Sequence, residues 1–185
     1  MNFNQRKKDV LSRRDKSLRG KWDEKIVDLC EKINSLDDHY TTSSCAGRSV
    51  LIIDKIKKQS GLFVKVYHDL ISFEQLKEDL NKVILSKEII KFKMEPCALH
   101  VACKTLEDAQ NLLDKAKLAG WKRSGIIATG DRFMVELNST EKIEFPIIKD
   151  NNILVDDEFL KIVIEDSNNK LKRSWKKIEG LKKFL

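Results

Sequence analysis

Seven residues constrain the fold of this chain more than any other stretch. In Cys97-Ala98-Leu99-His100-Val101-Ala102-Cys103 the side chains alternate. Cys97, Leu99, Val101 and Cys103 are apolar, while Ala98, His100 and Ala102 between them are small or polar. A period of two is the signature of a strand with one buried face. The other face carries a histidine between two alanines, which leaves room for another body. Thr105 follows as a helix cap, and Leu106, Ala109, Leu112, Leu113 and Ala116 form the apolar stripe of a helix that Gly120 stops. A half-buried strand leading at once into an amphipathic helix calls for a sheet covered by helices on one face.

The rest of the sequence extends that pattern. Residues 5 to 20 read as a basic helix, and Trp22, Ile26, Leu29, Cys30 and Ile33 recur at helical spacing behind Asp23 and Glu24. A polar turn from Tyr40 to Arg48 precedes a buried strand at Ser49 to Ile53. Leu62 to His68 is a second strand, and Ser72 to Gln75 a capping box that opens a short helix. Ile89 to Met94 and Cys97 to Cys103 are strands on either side of Pro96. Ser124 to Ala128 and Arg132 to Asn138 form a hairpin around Thr129-Gly130-Asp131. Ile143 to Ile148 reads as an edge strand, which tolerates Pro146. Asp157 opens a last helix with Leu171, Trp175, Ile178, Leu181 and Leu185 as its stripe. The expected fold is α+β: a mixed, mostly antiparallel sheet with helices packed on one face. No linker interrupts it, so residues 1–185 read as one domain. Its two halves share a loose strand-strand-helix order, as an internal duplication would leave.

Charge sits at the ends. Residues 1 to 25 hold nine Lys/Arg against four Asp/Glu, and residues 166 to 185 hold seven against two, in a chain of net charge +7. If the ends lie together they form one positive surface suited to phosphate backbone; two solvated lysine-rich helices explain the charge as well. No apolar run approaches a membrane span and the first residues have no signal-peptide core, so the expected compartment is the cytoplasm. Cys30, Cys45, Cys97 and Cys103 show no metal-ligand spacing. No glycine-rich dinucleotide or P-loop fingerprint is present, which leaves a Rossmann-type methyltransferase without support.

The turn Thr41-Thr42-Ser43-Ser44-Cys45-Ala46-Gly47-Arg48 is the first candidate site. Hydroxyls and turn N–H groups can bind a carboxylate or phosphate, Gly47 lets backbone approach a ligand, and Arg48 offers a planar fork. An ordinary Ser/Thr-rich loop would look the same. Cys45 is a better packing residue than nucleophile, lacking an evident base. His68 at a strand end and His100 in mid-strand are candidates for polar chemistry, each against a structural role. Trp121 to Gly125 could expose N–H groups of Ser124 and Gly125, or be a plain turn. Glu136 lies on the polar face of its strand.

Taken in order, these pieces resemble one family. Asp15-Lys16-Ser17, Gly20 and Asp23-Glu24 begin the match. Tyr40 to Arg48 is its sharpest part, followed by Val66-Tyr67-His68, Glu95-Pro96, Leu99-His100-Val101, Asp108-Ala109-Gln110, Gly120, Ser124-Gly125-Ile126, Ser139-Thr140 and Pro146. The chain resembles the wybutosine-synthesizing methyltransferases of the third-step type, found in archaea and eukaryotes. Two positions depart: Ser49 stands where the family usually has an apolar residue, and Asn138 where it often has an arginine that could meet an anion. The resemblance implies N4-methylation of a 7-aminocarboxypropyl-demethylwyosine base beside the anticodon of phenylalanine tRNA, with S-adenosylmethionine as donor and a fold other than Rossmann. On that reading His100 or His68 orients the base or accepts its proton. Ser43, Ser44, Cys45, Gly47, Arg48, Ser124, Gly125 and Glu136 contact cofactor or substrate. Tyr40 and Trp121 stack on the splayed base. Lys16, Arg19 and Lys21 near one end, and Lys172, Arg173 and Lys176 near the other, grip the anticodon stem-loop. No metal is expected. A non-catalytic RNA-binding module is the rival, and a metal-dependent hydrolase built on His68, His100 and a carboxylate is a third reading.

Overall fold

The computed structural model describes residues 2–13, 23–55 and 61–185. In chain order the elements are α1 (Phe3–Leu11), α2 (Val27–Ser35), β1 (His39–Cys45), β2 (Arg48–Ile53), β3 (Phe63–Tyr67), α3 (Phe73–Val83), β4 (Ile90–Glu95), β5 (Ala98–Cys103), α4 (Leu106–Leu118), β6 (Gly125–Ala128), β7 (Phe133–Asn138), β8 (Ile143–Lys149), β9 (Asn152–Ile153) and α5 (Asp157–Phe184). The α+β class stands, with the strands shared between two antiparallel sheets.

The chain divides into two compact units, each drawn from separated segments. Unit 1 comprises residues 1–46, 97–140 and 174–185; unit 2 comprises 47–96 and 141–173. Consecutive strands β4 and β5 fall in different sheets, so the strand-strand-helix order of the sequence halves does not map onto the units.

Unit 1 holds a four-stranded sheet in the order β1-β5-β7-β6. Leu99, Val101 and Cys103 of β5 face a core with Leu29, Cys30 and Ile33 of α2, Ala109, Leu112 and Ala116 of α4, and Ile178 and Leu181 of α5. The alternation of β5 thus does what its sequence demands. A reciprocal capping box between Thr105 and Asp108 opens α4, and Gly120 leaves it at φ +91°, a value that disfavours any side chain. Burial pushes the thiols of Cys30 and Cys103 up to about 12, as expected of packing residues.

Unit 2 holds a five-stranded sheet in the order β3-β2-β4-β8-β9. Ser49 bonds Ser167 of α5, Tyr67 bonds Asp79 of α3, and Phe145 packs edge-on against Phe159 of α5. Those contacts mark the helix side of this sheet. Ser49, the departure from an apolar residue, is therefore a buried hydroxyl with a hydroxyl partner. The β9 strand pairs only with Ile148 and Lys149. Over the rest of its length β8 is an edge strand, and Pro146 pairs with Lys91 of β4 next to a register shift, the kind of site that tolerates a missing N–H.

Candidate active site

The segment from Tyr40 to Cys45 is a strand, not a turn. Thr41 and Thr42 are β-branched and suit extended backbone, and β1 is an edge strand that can carry hydroxyls at little cost. Only Ala46 and Gly47 connect it to β2, with Gly47 at φ +93°. Strand geometry sorts the hydroxyl run by face. Ser43 pairs with His100, Cys45 with Ala98 and, across a bulge, Tyr40 with Ala102, all on the face away from α2 and α4. Ser44 pairs with Leu99 on the helix side and bonds the Cys30 thiol, so it cannot share a ligand with Ser43.

Register then builds a row across three strands. Ser43 lies beside His100, His100 beside Glu136, and Glu136 beside Gly125. The Ser43 hydroxyl is 2.7 Å from His100 Nδ1, and His100 Nε2 is 2.9 Å from Glu136 Oε1. The His100 and Glu136 side chains are 35% and 39% exposed, so the row is reachable from solvent. A carboxylate can only accept, so Nε2 carries the hydrogen and Nδ1 is left to accept from Ser43 O–H. Such a chain can receive a proton at Ser43 and hold the resulting imidazolium against Glu136. Ala98, Ala102 and Gly125 flank the row and add little bulk.

Other expected contacts are used within the fold. The Ser124 hydroxyl donates to Trp121 O at 2.7 Å and accepts from Asn138 N at 3.1 Å, which fixes the turn before β6. Trp121 is fully buried, and its indole N–H donates to Lys177 O at 3.0 Å. Tyr40 is fully buried too, its ring 5.2 Å from that of Phe3 on α1. Neither ring offers a face to a splayed base, so the stacking role is corrected for both. His68 follows β3 in unit 2, half-buried, and belongs to the other unit from His100.

The basic ends are described in part. In unit 1, α1 packs on Tyr40, on the face bearing His100. The end of α5 joins the core on the opposite face. Within unit 1, α1 and the end of α5 therefore lie on opposite faces of the sheet. Lys172, Arg173 and Lys176 are exposed on α5, and Arg173 reaches toward Glu141. Lys16, Arg19, Lys21 and Trp22 lie outside the described residues. Among the described residues no helix is long and apolar enough to cross a membrane, and no three His, Cys, Asp or Glu gather as metal ligands.

Arg48 contributes to a second site, within unit 2. A cavity of about 560 Å³ opens on the face of the five-stranded sheet away from its helices. Arg48, Phe63, Lys91, Lys93 and Glu95 are among its lining residues. The alternation Lys91-Phe92-Lys93-Met94-Glu95 sends the charged residues to this face and buries Phe92 and Met94. Arg48 and Glu95 are cross-strand partners, with Nε 2.7 Å from Oε2. The guanidinium lies over the Phe63 ring at 4.7 Å. Lys93 is held by Glu144 at 2.9 Å, and Lys91 by Asp54 at 2.9 Å. The lysines pull the Glu144 carboxyl down to about 2, chiefly through Lys142 and Lys93. Glu95, Phe63, Lys91 and Lys93 had no assigned role from sequence, although the strict alternation of β4 announces a charged face.

Comparison with known proteins decides the family. The family model described as methyltransferase TYW3 matches residues 5–185. The chain belongs to the methyltransferase TYW3 family. A relative from Methanocaldococcus jannaschii, named tRNA(Phe) 7-((3-amino-3-carboxypropyl)-4-demethylwyosine(37)-N(4))-methyltransferase, is 38% identical over 94% of this chain and 92% of its own length. The human wybutosine-synthesizing protein 3 homolog is 32% identical, over 96% of this chain and 70% of its own. Among solved structures, the PH1069 protein from Pyrococcus horikoshii superposes with a TM-score of 0.89 at 31% identity, covering 98% of this chain and 93% of that one. The TYW3 family match thus spans nearly the whole of this chain. A zwitterionic amino-acid end, such as that of S-adenosylmethionine, fits the unit 2 cavity by charge: an arginine fork and a carboxylate stand side by side there.

Proposed function

We propose that this chain methylates N4 of the 7-(3-amino-3-carboxypropyl)-4-demethylwyosine base of phenylalanine tRNA in the cytoplasm. The observation that carries the mechanism is the Ser43–His100–Glu136 row. S-adenosylmethionine supplies the methyl group when bound. The nitrogen that accepts a methyl must lose its proton, and the chain's task is to align the nitrogen and take that proton. Ser43 accepts it at Oγ while passing its own hydrogen to His100 Nδ1. Glu136 holds the imidazolium that results. His100 is thus the proton acceptor, with Ser43 as its contact to the base and Glu136 as its positioning partner. Cys45 and Gly125 border the row, where a flat base can approach small side chains. Arg48 holds an anionic group of cofactor or substrate. Exposed Lys172, Arg173 and Lys176 meet phosphates of the anticodon stem-loop.

The test is mass analysis of tRNA methylated in vitro. Wild-type protein should convert the demethyl base, and His100→Ala should not, at equal folded content by circular dichroism. Normal conversion by His100→Ala would refute the site. Conversion of the base by no form of the protein, with tRNA still bound, would instead favour the RNA-binding module.

A further inference from the structure

The unit 2 cavity holds an unusual pair of half-used groups. Arg48 spends Nε on Glu95 and its flat face on Phe63. Its two terminal nitrogens make no other hydrogen bond among the described residues. Glu95 spends Oε2 on Arg48, and its other oxygen is likewise unused there. The neighbouring lysines are engaged by Asp54 and Glu144. A binding surface for a simple anion would leave lysines unpaired and would not place a carboxylate in the middle. A cation site would not be built on an arginine. An unengaged guanidinium edge beside an unengaged carboxylate oxygen matches a ligand that carries both charges on one carbon.

We propose that this cavity reads an α-amino acid group, Arg48 taking its carboxylate and Glu95 its ammonium. The fork of Arg48 can accept a carboxylate through two parallel N–H bonds without leaving Glu95, because Nε and the terminal nitrogens use different edges. Stacking on Phe63 fixes the plane of that fork. The pair spans two hydrogen-bonded strands, β2 and β4, so its spacing is set by the sheet and not by a loop. The volume of about 560 Å³ is enough for a nucleoside-sized ligand attached to the amino acid. Two reactants of the proposed reaction end in this group: the methyl donor and the 3-amino-3-carboxypropyl tail of the base. The assignment rests on that proposed reaction, and both sources share the chemistry.

Calorimetric titrations of full-length wild type, Arg48→Lys and Glu95→Gln separate them. One arm uses S-adenosylhomocysteine and 5′-methylthioadenosine, which lacks the amino acid. The other uses phenylalanine tRNA with and without the 3-amino-3-carboxypropyl tail. If both variants lose roughly tenfold or more in affinity for S-adenosylhomocysteine and keep that for 5′-methylthioadenosine, the cavity takes the donor's amino acid. If the nucleosides are unaffected and the preference for tailed tRNA disappears, it takes the tail. Either result supports the assignment. Variants that discriminate as wild type does in both arms overturn it, and methyl transfer by wild type then leaves the proposed reaction standing. Wild type that binds neither nucleosides nor tRNA overturns both together.

Discussion

Away from their helices, the two sheets carry different chemistry. The four-stranded sheet presents Ser43, His100 and Glu136 among alanines and Gly125. The five-stranded sheet presents Arg48 with Glu95, Lys93 with Glu144, and Lys91 with Asp54. One face is a hydrogen-bonded row with a titratable ring at its centre. The other is a lattice of charges in fixed pairs around a cavity. Both faces use the same device, antiparallel register, to set side-chain spacing. On the proposed reading, proton transfer and charge reading belong to separate sheets. A row that must take up a proton needs a group that can change state. A face that must recognise a zwitterion needs charges that do not.

The largest effect should come from the ring. His100→Ala should lower single-turnover methyl transfer by about 10²–10⁴-fold, the range for a lost general base, with donor affinity little changed. A loss of affinity with an unchanged transfer rate would break the division between sheets. Glu95→Gln should do the reverse: binding of the amino-acid-bearing ligand weakens roughly tenfold, and the transfer rate at saturation stays near wild type.

Changes beneath the faces should act on stability and not on chemistry. Tyr67 donates to the buried Asp79 at 2.8 Å, so Tyr67→Phe should cost about 1–3 kcal/mol in urea melts. A selective loss of methyl transfer would mean that unit 2 has a part in the chemical step. The smallest effect should be acidic softening of the charge lattice. Burial and lysines aside, Glu144 would titrate near its ordinary 4.5, and in the fold it is held near 2. A depressed carboxyl contributes stability that is fully present above pH 4.5 and lost as pH falls toward 2. Glu144→Gln should flatten the melting-temperature profile in that window and nowhere else.

Much of this was legible in the residues. The alternation of β5 announced both the buried face and the open position of His100, because period two leaves no other arrangement. The cap at Thr105 and the stop at Gly120 are local chemistry and appeared where expected. The run at Tyr40 to Cys45 misled because hydroxyl residues serve turns and edge strands alike; its partner, β5, is more than fifty residues away. The pairing of Ser43 with His100 and Glu136 depends on that register and on a bulge, neither of which composition reveals. Tyr40 and Trp121 were misassigned because an aromatic ring near a site reads the same whether it is buried or open. Glu95 was visible as part of a family resemblance, but its role needed its neighbour Arg48 across the ladder.

The central claim is that Ser43, His100 and Glu136 act as one chain. The direct measurement is a double-mutant cycle on single-turnover methyl transfer with Ser43→Ala, Glu136→Gln and the double variant. If the chain acts as a unit, each single change slows transfer and the double loses little more than the worse single. Losses that multiply, or a Ser43→Ala protein as fast as wild type, would contradict it.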